Sequence, residues 1–241
     1  MKNTFKLLAI TAVLMQSCSA LLKVKDTTGQ TNIKSKFNKD NIIFTTGKTF
    51  VYSVTHIAGN DTLEIKNSNG ILINQVILHV MPGRFFKQTK ISFQYANETS
   101  YVGNKNITGI IENKNEVWIH PPRTNFPFIF TECAPFPEIH FPIEEGKTWT
   151  SITFVPKGHY EEINLSGKIE NKWEIGRKQK LDLNYKTYQG VWDVKSTGTS
   201  TLGTAVNHFY FSPSDGFVKV QYEFPNKEKL IFELIKINKA L

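Results

Sequence analysis

Cysteine is nearly absent from this chain of 241 residues: Cys18 and Cys133 are the two it has. If Cys18 is modified, no intramolecular disulfide remains, and an apolar core alone must hold the fold. Long apolar runs are missing as well. The first, Leu7–Met15, has nine residues, whereas a spanning helix needs about 20, and no later stretch approaches that length. Catalytic signatures are lacking: there is no G-x-S-x-G elbow, H-E-x-x-H, G-x-G-x-x-G, P-loop or C-x-x-C. The six histidines (56, 79, 120, 140, 159 and 208) are dispersed. The formal charge of +8 comes from scattered lysines, denser at Lys23, Lys25, Lys34, Lys36 and Lys39 and at Arg177, Lys178 and Lys180. No basic face is interleaved with aromatics, which excludes nucleic acid as the expected partner.

What is present begins at the N-terminus. Lys2 and Lys6 precede the apolar run, and Gln16, Ser17 and Cys18 follow it. This order is that of a secretory leader, and Met-Gln-Ser-Cys resembles a loosened lipobox. The expectation is a leader over 1–17, cleavage before Cys18 and acylation of that cysteine, giving a membrane partner through the lipid. Losing Lys2 and Lys6 takes the charge from +8 to +6. Residues 18–40 are polar, lack a hydrophobic period and read as a tether whose lysines can lie near anionic headgroups. Ser19 lacks the acidic signal for inner-membrane retention, and Ala20–Lys23 lacks an acidic surface-export run. By that resemblance the expected location is the outer membrane, facing the periplasm.

From residue 41 onward the dominant period is two, and one β domain over 41–241 is expected. Phe50, Tyr52 and Val54 alternate with Val51, Ser53 and Thr55; Val76, Leu78 and Val80 follow; then come Thr89, Ile91, Phe93 and Tyr95. The cleanest case is Ile163–Ile175. Ile163, Leu165, Ile169, Trp173 and Ile175 share one face, with Gly167 and Asn171 as its exceptions, and Lys168, Glu170 and Lys172 lie opposite. At ~3.3 Å per residue such a strand is about 40 Å long. A turn is expected at Gln189-Gly190 and another at Ser212–Gly216. Leu230–Ile237 fits a strand through Leu230, Phe232 and Leu234, and a helix face through Leu230, Ile231, Leu234 and Ile235. The expected fold class is all-β, mainly antiparallel: a large curved sheet or partial barrel with long strands and a Pro/Phe-rich loop.

That loop runs between Trp118 and Trp149 and holds six of the ten prolines with Phe126, Phe128, Phe130, Phe136 and Phe141. Proline removes a ladder donor, so the segment is a long ordered loop or a set of edge pieces. It also gathers His120, Arg123, Glu132, Cys133, Glu138 and His140. The candidate binding residues are His120, Arg123, Glu138 and His140 at the rim of a groove, with Phe128 and Phe136 in its wall. Convergence of His120, Cys133 and His140 on a soft metal would suit their ligand types, but spacings of 13 and 7 residues match no compact pattern. No metal, catalytic residue or cofactor is therefore assigned.

The phrases His-Pro-Pro-Arg (120–123), Pro-Phe-Pro (135–137) and Glu-Gly-Lys-Thr-Trp (145–149) recur with Leu202-Gly203-Thr204, Phe209-Tyr210-Phe211 and Gly216-Phe217-Val218-Lys219. Over residues 45–237 this pattern resembles an envelope lipoprotein family of diderm bacteria, for which no catalytic residues are known. The C-terminal half is similar in outline to periplasmic half-barrels of the LolA- and LolB-like carriers, although the sequence shows no helical lid. The resemblance implies a lipid-anchored periplasmic protein that binds or scaffolds, with an apolar ligand or an envelope protein as partner. The alternative is a hydrolase acting on an envelope glycan or lipid through the 118–149 loop, with Glu132 or Glu138 as acid or base.

Overall fold

The computed structural model describes residues 42–96 and 107–239. The expected leader, Cys18 and the tether up to residue 40 lie outside the described residues. Among the described residues thirteen strands form one antiparallel sheet. In chain order they are β1 Thr49–Ala58, β2 Asp61–Leu63, β3 Gln75–Phe85, β4 Gln88–Tyr95, β5 Ile107–Glu112, β6 Glu116–Ile119 and β7 Glu138–His140. Then follow β8 Thr148–Tyr160, β9 Leu165–Asp182, β10 Thr187–Ser200, β11 Gly203–Ser212, β12 Gly216–Glu223 and β13 Lys229–Asn238. Helical turns among the described residues are two 3-10 segments, Phe128–Cys133 and Glu161–Ile163, so no α-helical lid of the carrier kind is found there. None is long and apolar enough to cross a membrane.

Across the sheet the order is β7-β6-β5-β4-β3-β1-β13-β12-β11-β10-β9-β8, with β2 paired to β1 outside that path. Almost every neighbour is a sequential hairpin. The exceptions are β1 with β3, between which β2 and residues 64–74 intervene, and the centre, where β1 pairs with β13 from Thr49↔Asn238 to Ile57↔Lys229. The two halves fan out from that central pair. Their outermost strands, β7 and β8, are consecutive in sequence and joined by residues 141–147, and the sheet curls towards a barrel. At the seam, the His140 ring of β7 stacks on Trp149 of β8 with centroids 4.4 Å apart.

Alternation explains most of the burial. In β1 Phe50, Tyr52, Val54 and His56 are buried in turn, and β9 buries Leu165, Ile169, Asn171, Trp173 and Ile175 while exposing Lys168, Glu170, Lys172 and Glu174. The strand starts later than the alternation implied. Ile163 closes a 3-10 turn, and Asn164 is left-handed at φ 52°, so the extended run begins at Leu165. It then continues to Asp182. The expected turn at Gln189-Gly190 is not a turn: the chain reverses at Leu183–Lys186, where the Leu183 N–H donates to the Lys186 carbonyl. Gly190 lies inside β10 at a break in register, where a Cβ would sit 2.6 Å from Lys178 Cε. Glycine sits at that break in the pairing, not at a reversal.

The segment left open between strand and helix is strand β13, bonded to both β1 and β12, with Leu230, Phe232 and Leu234 inward. The expected turn at Ser212–Gly216 is present. Gly216 has φ 79°, and a Cβ on it would meet Phe44 Cζ at 2.7 Å, so backbone and packing both demand glycine. The chain entering β1 is pinned by Glu112 of β5. One carboxylate oxygen accepts the N–H groups of Ile42 (3.0 Å) and Ile43 (2.8 Å), and the other accepts that of Phe44 (2.9 Å). Three backbone donors are thereby satisfied beside the core.

Candidate functional site

The Pro/Phe-rich segment crosses the inner face of the curl as a strap. Its phenylalanines divide by burial. Phe128 is fully buried, stacked on Tyr95 of β4 at 4.9 Å and tilted against Phe232 of β13. Phe130 packs on Phe224, and Phe141 on Phe211. Phe126 is 55% exposed. Polar bonds tie the strap at both ends: Tyr95 Oη donates to the Thr124 carbonyl (2.7 Å), and Trp173 Nε1 donates to that of Phe136 (3.1 Å). Gly198 of β10 lets Pro135 come close, since a Cβ there would lie 2.6 Å from the proline ring.

Between strap and sheet a cavity of about 40 Å³ remains, partly open to the surface. The sheet contributes Tyr52, Val76, Leu78 and Phe93 from one half and Phe217, Val220, Tyr222 and Phe232 from the other. The strap contributes Pro121, Pro122 and Pro137, and Ile119 at the end of β6 completes the wall. No charged side chain lines it. Tyr52 turns its hydroxyl away to donate to the Phe217 carbonyl at 3.0 Å. The strap walls this cavity with prolines: neither Phe128 nor Phe136 borders it, the first being core and the second packing against His120 and Trp118.

His120 is buried, not at a rim. Its Nδ1 faces the Pro121 carbonyl at 2.8 Å, and a carbonyl only accepts, so Nδ1 carries the proton. Burial lowers its pKa, which keeps the ring neutral. Nε2 then accepts from Arg123 Nη1 at 3.5 Å and faces Glu132 Oε1 at 3.6 Å. The other Glu132 oxygen accepts from the Tyr160 hydroxyl at 2.7 Å. Burial, and then the Glu132 charge, push the Tyr160 and Tyr222 pKa values up, so both phenols stay protonated. Glu132 Oε1 and Tyr222 Oη are buried and have no hydrogen-bond partner among the described residues. The sequence pattern pointed to Glu132 but carried no signal for Tyr160, which reaches it from the end of β8.

Among the described residues His120, Cys133 and His140 do not gather as one ligand set, in keeping with spacings that matched no compact pattern. Cys133 Sγ–H donates to the Phe130 carbonyl (2.9 Å), and burial pushes its pKa up to about 12, so it is a protonated core thiol. His140 instead meets two carboxylates: Nε2 lies 2.6 Å from Glu138 Oε1 and 3.7 Å from Glu116 Oε2. Glu116 and His140 are direct partners across β6 and β7, and Glu138 is two residues before His140, hence on the same face. Glu116 was missed because its proximity to His140 depends on the β6–β7 register, which sequence spacing does not reveal.

No family model matches the chain, and no curated protein matches it in sequence. Among solved structures it is similar to an exported protein described as having a YmcC-like fold from Bacteroides fragilis, with 10% identity, 82% of this chain and 98% of that one covered, and a TM-score of 0.44. A protein described as a lipoprotein from Parabacteroides distasonis shows 11% identity over 82% and 97%, with a TM-score of 0.46. The lipoprotein YmcC from Escherichia coli shows 13% identity over 84% and 92%, with a TM-score of 0.35.

Proposed function

We propose that this chain is a lipid-anchored envelope protein whose curled sheet holds the end of a hydrocarbon chain beneath the proline strap. The anchor rests on the order of Lys2, Lys6, the apolar run 7–15 and Cys18; outer-membrane placement facing the periplasm rests on Ser19 and the residues after it. One observation carries the binding reading: the cavity between Val76, Leu78 and Val220 on the sheet and Pro121, Pro122 and Pro137 on the strap is apolar on every side. Water gains little there, because it needs two to four polar partners. An apolar group gains the burial of its own surface, about 25 cal/mol per Å². At about 40 Å³ the space suits a few methylene groups, so the rest of a ligand would lie outside it.

The test is a titration with a fluorescent fatty acid, followed by displacement with unlabelled acyl chains. Val220→Phe fills the cavity with apolar bulk and should weaken binding at least about tenfold, a loss of ~1.4 kcal/mol. Unchanged affinity in a folded Val220→Phe protein would defeat the proposal. The hydrolase reading has the Glu132–His120–Arg123 group in its favour. Burial of both Glu132 and His120 keeps a polymer substrate from reaching them, which weighs against it.

A further inference from the structure

We propose that Glu116, Glu138 and His140 form a binding site for a divalent transition-metal ion, zinc being the best fit, at the seam of the curled sheet. The inference does not rest on the hydrocarbon cavity.

Geometry is the first support. One ligand atom from each of the three residues lies within 4.8 Å of the others. Zinc bonds of 2.0–2.1 Å at tetrahedral angles place ligand atoms about 3.3 Å apart. The His140–Glu116 separation of 3.7 Å is close to that, and the 2.6 Å His140–Glu138 contact opens to it by a small carboxylate rotation. All three residues stand on two hydrogen-bonded strands, which hold them more firmly than a loop would.

Charge is the second. With a neutral imidazole the two carboxylates leave two uncompensated negative charges. Among the described residues no lysine or arginine pairs with either one. A divalent cation cancels both.

The surroundings are the third. Asn113 Nδ2 donates to Glu116 Oε1 (3.3 Å), leaving Oε2, the oxygen that faces His140, for the ion. The Trp149 indole lies flat on the His140 ring, planes 18° apart, and fixes its orientation. Such outer contacts orient ligands and raise affinity. A mixed imidazole and carboxylate set suits zinc better than the hard ions that prefer oxygen alone. Three protein ligands leave a fourth position for water or for a donor from another molecule.

The experiment is a zinc titration of the purified, tag-free protein against a competing fluorescent chelator, repeated with Co²⁺ while following tryptophan emission. One equivalent should bind, and Co²⁺ should quench Trp149 through the stacked imidazole. Glu138→Gln removes a charge but keeps a side-chain oxygen for His140, and so should fold. It should lower zinc affinity about 100-fold, the upper end of what even an outer-shell change costs. His140→Ala should abolish binding and the quench, with folding checked by circular dichroism. Absence of stoichiometric zinc binding by the wild-type protein would overturn the proposal. So would wild-type affinity in folded Glu138→Gln and His140→Ala.

Discussion

The indole of Trp149 and that of Trp173 face each other across β8 and β9 as register partners, ring centroids 5.8 Å apart and planes 7° apart. Trp149 also carries His140 on its ring, so one stack links the edge strand β7 to the long strand β9. Trp173 is the buried member, 3% exposed. Trp173→Ala should therefore cost about 3–5 kcal/mol, as large core truncations do. Glu170→Ala, on the wet face of the same strand, should stay within ~0.5 kcal/mol. Urea unfolding of both variants checks this, and equal effects would contradict the packing described.

Glu112 should matter more than its place at the end of a short strand implies. Its two oxygens serve the N–H groups of Ile42, Ile43 and Phe44. Glu112→Ala leaves three donors without their acceptor, at roughly 1–3 kcal/mol for each that stays buried. The expected result is a loss above about 2 kcal/mol in urea unfolding. A loss under about 0.5 kcal/mol would mean that water replaces the carboxylate freely.

Cys133 should be inert. Its pKa near 12 and its bond to the Phe130 carbonyl keep it a thiol at pH 8. Iodoacetamide should leave the Cys133 peptide unlabelled in the native protein and label it fully in urea, as read by mass spectrometry. Native labelling at the rate of a free thiol would contradict its burial.

His120 gives a pH dependence with a definite sign. Burial lowers its folded pKa below the usual 6.5, so below that pH the unfolded chain binds the extra proton. Stability from this group is present above about pH 6.5 and lost as pH falls towards the folded value. His120→Gln cannot take up that proton. Urea unfolding between pH 5 and 8 should show a shallower acid decline in the variant than in the wild type. Parallel profiles would mean that His120 titrates normally.

The anchor is tested by Cys18→Ala. Lipid labelling should disappear, and the protein should leave the membrane fraction. Full membrane association in that variant would refute acylation at Cys18.

The all-β class and the long strand were legible because period two is printed directly in residues such as Ile169, Trp173 and Ile175. Gly190 was misread because glycine marks both turns and irregularities inside strands; the β9–β10 register, which breaks there, decides between them. The strap was located by its prolines, which exclude a central strand. Which of its phenylalanines are core was not legible, since Phe128 and Phe126 differ in what lies opposite them, not in type. The partners of Glu132 and His140 were hidden for a related reason: Tyr160 and Glu116 reach them through pairing and curl.

The hydrocarbon cavity is tested most directly by methyl NMR of the ¹³C-labelled protein during titration with a deuterated fatty acid. The account predicts saturable shifts at Val76, Leu78, Ile119 and Val220, the methyl-bearing residues of the cavity wall. Shifts confined to exposed apolar positions such as Ile152, or none at all, would contradict it.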